Sequence, residues 1–207
     1  MENAALKTIP FLLFPLLALL LAGCGSSEPL YDGQPLSAYI AALDAPDPAL
    51  KEYAHKTLIR FGPEDPKIVA ALIGALKGGN FAAATVLAEI GPLSPQKGEV
   101  VAALTEVVQK HKQNTSLRFA AANALPKFGE DAKPAIPALI EMLGENDEDM
   151  QAQAAETLGK LHIHAKDAVV PLVNVDRNST PRAQRAALDA LKEIDVKTYN
   201  KLRAGPS

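Results

Sequence analysis

Reactive side chains are sparse in this chain of 207 residues, which has one cysteine, Cys24, and four histidines, His55, His111, His162 and His164. A thiolate is a strong nucleophile, and Cys24 alone can supply one. With a single cysteine no disulfide can close within the chain. His162-Ile163-His164 places two imidazoles at alternate residues, which an extended stretch turns to one side, as a metal site requires. No cysteine or third ligand lies nearby, so the pair reads as a polar turn. The acidic stretch Glu145-Asn146-Asp147-Glu148-Asp149 has a calcium-binding composition but lacks the spaced glycine and distal glutamate of an EF-hand loop. It reads as the solvated start of a helix. No Gly-rich phosphate loop and no nucleophile elbow occurs. The expectation is a non-enzyme with no catalytic, cofactor-binding or metal residues.

Cys24 has a particular setting. Pro10 to Leu21 is apolar throughout, too short to span a bilayer comfortably and of the length of a signal-peptide core. Lys7 precedes it, although Glu2 leaves the start only weakly charged, and the turn-forming residues Gly25 to Pro29 follow. Leu21-Ala22-Gly23-Cys24 resembles the lipobox of bacterial lipoproteins. That resemblance implies a signal peptide over 1–23 and a Cys24 whose thiolate takes up a diacylglyceryl group. Two or more acyl chains hold a protein stably on a membrane, at about 0.8 kcal/mol per buried methylene. Residues 24–34 then form the lipidated start and a flexible linker. Gly25 stands where an aspartate commonly retains such lipoproteins at the inner membrane. The resemblance therefore implies a bacterial envelope protein on the outer membrane, facing the periplasm.

The rest of the chain must be built from a repeat. An alanine, a leucine four residues on and an apolar residue three further recur five times: Ala54/Leu58/Phe61, Ala83/Leu87/Ile90, Ala121/Leu125/Phe128, Ala154/Leu158/Leu161 and Ala187/Leu191/Ile194. The leucines are 29, 38, 33 and 33 residues apart, a spacing that signals a helical solenoid rather than a plain bundle. Before each lies an apolar row at i, i+3, i+4 and i+7, one face of a helix. The rows begin at Leu36, Val69, Val101, Ile136 and Val169, and the last loses its fourth apolar member at Asp176. Each unit is thus a helix A, a short polar turn and a helix B. Gly62, Gly91 and Gly129 fall where helix B is expected to end in a left-handed residue. His162 and Asp195 replace that glycine, so those two ends are expected to differ. Phe81 and Phe119, both six residues before the repeat leucine, are expected to pack under helix A.

The Ala-Ala-x-x-Leu-x-x-apolar-Gly pattern of helix B and the early prolines Pro137 and Pro171 of helix A resemble HEAT repeats of the short bacterial kind. The resemblance covers about residues 35 to 195. It implies an all-α fold, a right-handed α-solenoid of about five HEAT-like helix pairs over 35–197, followed by a C-terminal tail, 198–207. Some bacterial HEAT-like proteins are bilin lyases, and others are di-iron hydroxylases that use His-Glu pairs. No histidine here is followed by glutamate, which removes the hydroxylase pattern. Solenoids present extended binding surfaces, and in HEAT-like stacks the B helices line the concave side. Two residues before each leucine stand Lys56, Thr85, Asn123, Glu156 and Asp189; two after stand Arg60, Glu89, Lys127, Lys160 and Glu193. Removal of Lys7 and Glu2 with the signal peptide turns 21 cations and 24 anions into 20 and 23, so the net charge stays at -3. A nucleic-acid groove would be mostly basic, so the mixed signs predict a protein partner and no nucleic acid. Lys56, Arg60, Asn123, Lys127, Glu156 and Lys160 are the candidate contacts. The expected function is a lipid-anchored scaffold for protein–protein interaction, the alternatives being a lyase-type or cofactor-binding accessory and a purely structural envelope protein.

Overall fold

The computed structural model describes residues 28–204, so Cys24 and the apolar run before it lie outside the described residues. The chain divides into two compact units, Met1–Leu58 and Ile59–Ser207. In the first, strands β1 (Leu30–Tyr31) and β2 (Gln34–Pro35) pair antiparallel, Leu30 opposite Pro35 and Tyr31 opposite Gln34. Asp32 and Gly33 between them both have positive φ, 46° and 82°, the conformation that suits a two-residue hairpin. Helix α1 (Leu36–Ala42) follows directly, and its buried Tyr39 donates a hydrogen bond to the Tyr31 carbonyl at 2.7 Å. The Tyr39 ring also lies 6.1 Å from that of Tyr53. Residues 30–34, expected as flexible linker, are therefore an anchored hairpin. Asp32-Gly33 is the turn signal that marks it.

Helix α2 (Pro48–Phe61) is followed by α3 (Pro66–Lys77), α4 (Phe81–Ile90), α5 (Lys97–Lys110), α6 (Thr115–Ala124), α7 (Ile136–Leu143), α8 (Glu148–Lys160), α9 (Val169–Asn178), α10 (Pro181–Ile194) and α11 (Val196–Ala204). In the second unit α3, α5, α7 and α9 pack in succession as one layer and α4, α6, α8 and α10 as another, each A helix against its own B helix. Short 3-10 segments link B to the next A at Gly91–Leu93, Leu125–Ala135 and His162–Ala168. The expected helix pairs are thus present, and the described part of the expected tail, 198–204, is helical.

The repeated residues make the core. All five repeat leucines are at most 1% exposed and all five repeat alanines are at 0%. Each such leucine contributes about 1.5–3 kcal/mol by leaving water. Four B helices start on a short polar side chain that accepts a backbone N–H: Asp47 from Ala49 (2.9 Å), Asn80 from Ala83 (3.0 Å), Asn114 from Leu117 (3.0 Å) and Asp147 from Asp149 (3.0 Å). These caps satisfy donors that the first turn of a helix leaves open. Arg118, on α6 and buried, donates to the Val108 carbonyl of α5 at 2.9 Å and to both carboxylate oxygens of Glu145 at 2.9 and 2.7 Å. One guanidinium so ties a repeat to the turn of its successor, in the bidentate geometry for which arginine is suited.

The glycines differ from expectation. Gly129 is left-handed at φ 54°, but Gly91 is ordinary right-handed helix at φ -59°, and Gly62 is not among the positive-φ residues. His162 itself takes φ 50°, so it fills the glycine's place without changing that helix end. Asp195 does differ: its φ is -147°, and it caps α11 by accepting the Lys197 and Thr198 backbone N–H at 3.1 and 3.3 Å, with the Thr198 hydroxyl donating to its other oxygen at 2.7 Å. The need for Gly91 is steric, because a Cβ there would stand 2.7 Å from the Phe128 ring of the next unit. Gly91→Ala is expected to destabilise the fold by about 1–3 kcal/mol through overpacking. Adding Phe128→Leu is expected to recover part of that loss in a denaturation double-mutant cycle. A purely additive cycle would show that the ring is not the obstacle.

Candidate functional site

A cleft of about 1070 Å³ opens on the B-helix side of α6, α8 and α10. Its floor is made of small residues, Gly159 on α8 and Ala186 and Ala190 on α10. A Cβ at Gly159 would lie 3.0 Å from the Ala190 Cα, so these helices touch almost backbone to backbone. Asn123, Lys127, Glu156 and Lys160, four of the six residues singled out by spacing, line this one cleft. Asn123 is held in place by the buried Gln153, whose amide donates to it at 3.0 Å. The other two candidates lie elsewhere. Lys56 pairs with Glu52 one turn back on α2, and the Arg60 guanidinium sits 4.4 Å over the Phe61 ring.

The cleft has further walls that the two rows did not include. Arg182 and Arg185 of α10 line it, with His162 at the end of α8. They continue the helical face of Asp189 and Glu193 backwards at i-4 and i-7, which is where a longer row would have found them. Arg185 occupies the place, six before the leucine, held by Phe81 and Phe119 in other units. Of those, Phe81 is 51% exposed rather than packed under helix A, and Phe119 is half-buried. Phe81 is the first residue of α4, so no preceding turn covers its ring.

The A layer carries three ion pairs around α5: Glu106 accepts from Lys110 at 2.8 Å and pairs with Lys77 of α3 at 2.7 Å, and Lys97 meets Asp131 at 2.6 Å. Within the cleft Arg182 pairs outward with Asp149, and His162 stands 3.6 Å from Glu193. Lys127, Lys160, Arg185 and Lys192 line it with no ion pair to any described residue, as do Glu156 and Asp189. Glu145 and Asp147 of the acidic turn serve α6 and α8 as described above. Among the described residues no group of three or more His, Cys, Asp or Glu is placed to hold a metal, and no helix is long and apolar enough to cross a membrane.

The fold and this face define a class, the helical repeat stack with a B-side cleft. A sequence model of HEAT repeats matches residues 79–159, from the turn before α4 to α8, and this stretch is HEAT-like. Among solved structures, the chain is similar to the complex of CpcE and CpcF of phycocyanin lyase from Nostoc sp. PCC7120. The TM-score is 0.57 at 24% identity, over 87% of this chain and 73% of that one. It is also similar to an engineered protein, with a TM-score of 0.45 at 19% identity over 76% and 78% of the two chains. The comparison with curated proteins gives no match. The first likeness supports a HEAT-like solenoid fold.

The Glu106 triad gives a prediction that checks the paired layer. Its hydrogen bonds to Lys110 and then Lys77 hold its pKa down, from 4.5 to about 2. A depressed carboxylate pKa adds stability above pH 4.5, which is lost as pH falls towards 2. Because the group is exposed, salt weakens the effect. A carbon-13 NMR titration is expected to place the Glu106 midpoint near 2, and Lys110→Gln to move it upward. An unchanged midpoint in that variant would show that Lys110 is not its principal partner.

Proposed function

We propose that this protein is a lipid-anchored, non-catalytic scaffold of the bacterial envelope that holds a protein partner in the α6–α8–α10 cleft. The supporting observation is the lining, where six charged side chains of both signs are left without ion partners over a floor of small residues. Exposed charges of both signs steer and select a protein partner more than they add affinity. Cys24, through the lipobox resemblance, is the point of attachment, with the outer membrane facing the periplasm as its location. Confinement there raises the effective concentration of the cleft for anything held on the same surface. A second reading, a lyase-type accessory, draws on the fold likeness to the phycocyanin lyase complex. A fold likeness carries no chemistry by itself. An absorbing chromophore on the purified protein would favour that reading.

Crosslinking in cells followed by mass spectrometry is expected to capture one defined envelope protein, lost on Lys127→Glu with Lys160→Glu and kept with Lys201→Glu on α11. Capture indifferent to the cleft substitutions would move the binding face elsewhere. Cys24→Ser is expected to abolish incorporation of a clickable fatty acid and to release the protein from the membrane pellet. Continued labelling would remove the anchor assignment.

A further inference from the structure

We infer that the occupant of the cleft is an extended acidic segment, about six residues long, of the partner protein; this rests on the scaffold reading and specifies its ligand. The chain carries a net charge of -3, yet the cleft lining runs against that sign. Its unpaired groups are four cations, Lys127, Lys160, Arg185 and Lys192, against two anions, Glu156 and Asp189. Glu193, a third anion, lies 3.6 Å from His162, and counting it still leaves the cations of the lining in excess. Potentials of opposite sign attract across an interface, and a cleft with low-dielectric walls focuses them. An acidic chain therefore gains most from this surface.

The floor sets the conformation of the guest. Gly159, Ala186 and Ala190 project little, so a main chain can lie close to the helices, whereas a helix would meet the long side chains at the rim. Crossing from α6 to α10 is two helix-to-helix steps of about 8–10 Å, or about 16–20 Å. At about 3.3 Å per residue that distance takes about five or six residues of extended chain. A nucleic acid fits less well. No Phe, Tyr or Trp among the described residues lines the cleft to stack a base, and the Glu156 and Asp189 carboxylates would face phosphates.

The test uses the full chain in detergent with three fluorescein-labelled probes read by anisotropy. These are an octapeptide of alternating glutamate and alanine, its lysine–alanine counterpart, and a single-stranded DNA of eight nucleotides. The acidic peptide is expected to bind, with about tenfold weaker affinity after Lys160→Glu or Arg185→Glu and a loss of affinity with added salt. Lys201→Glu is expected to leave it unchanged, and circular dichroism confirms that each variant is folded. Tighter binding of the DNA, equal binding of the basic peptide, or indifference to both cleft reversals would overturn the inference. Residue-specific crosslinking from Glu156 in cells separates it from the scaffold reading. A captured protein joined through a segment that is not acidic overturns the acidic guest alone, whereas no capture from the cleft overturns both.

Discussion

Helices whose backbones nearly touch leave no room for side chains between them, and the B layer of this protein is built on that constraint. The Ala190 Cα stands where a Cβ on Gly159 would come within 3.0 Å, and the repeat alanines have no exposure at all. Larger residues at such places force neighbours off their rotamers, at about 1–3 kcal/mol each. Where neighbouring B helices touch most closely, as Gly159 and Ala190 do, only small side chains fit, while large ones such as Leu158 and Leu191 are buried elsewhere. That single restriction produces both the stack and the shallow floor of the cleft.

Close packing alone does not set the spacing of successive units, because alanine contacts are smooth and alike. Polar contacts supply the register. Arg118 reaches from α6 to the turn before α8, where Glu145 accepts it with two oxygens. Thr157 of α8, fully buried, approaches the Ala122 carbonyl of α6 at 3.4 Å, and Gln153 one turn earlier meets Asn123. Buried polar groups are costly when a partner is removed, so a slipped arrangement would strand several at once. The same contacts hold Asn123 and the base of Glu156 at the cleft. Site and register thus share one set of residues, while Lys127, Lys160, Arg185 and Lys192 at the rim make none of these contacts.

The repeat was legible in the sequence because burial obeys a helical period. The leucine and alanine positions, the polar turns and the A-helix rows all follow from which side faces inward. Less legible was anything decided by a neighbour distant in sequence. Gly91 reads like a helix stop, yet its reason is the Phe128 ring of the following unit, which local spacing does not reveal. His162 shows the converse, a bulky residue accepting a positive φ that the pattern assigns to glycine. At the site, rows two before and two after each leucine located Asn123, Lys127, Glu156 and Lys160, but not Arg182 or Arg185. Those lie on the same helical face further back, at a place that elsewhere carries Phe81 and Phe119.

That exchange of arginine for phenylalanine bears on how such a fold acquires a ligand. Positions facing the core are held by packing, most of them by small or aliphatic residues. Rim positions carry no such demand, and their chemistry differs from unit to unit along one molecule. In the second unit the place six before the leucine exposes an aromatic ring; in the fifth it presents a guanidinium to the cleft. The charge of the cleft is consequently a property of three particular units and not of the repeat. Two proteins of this architecture can therefore hold guests of opposite sign without altering a single core residue.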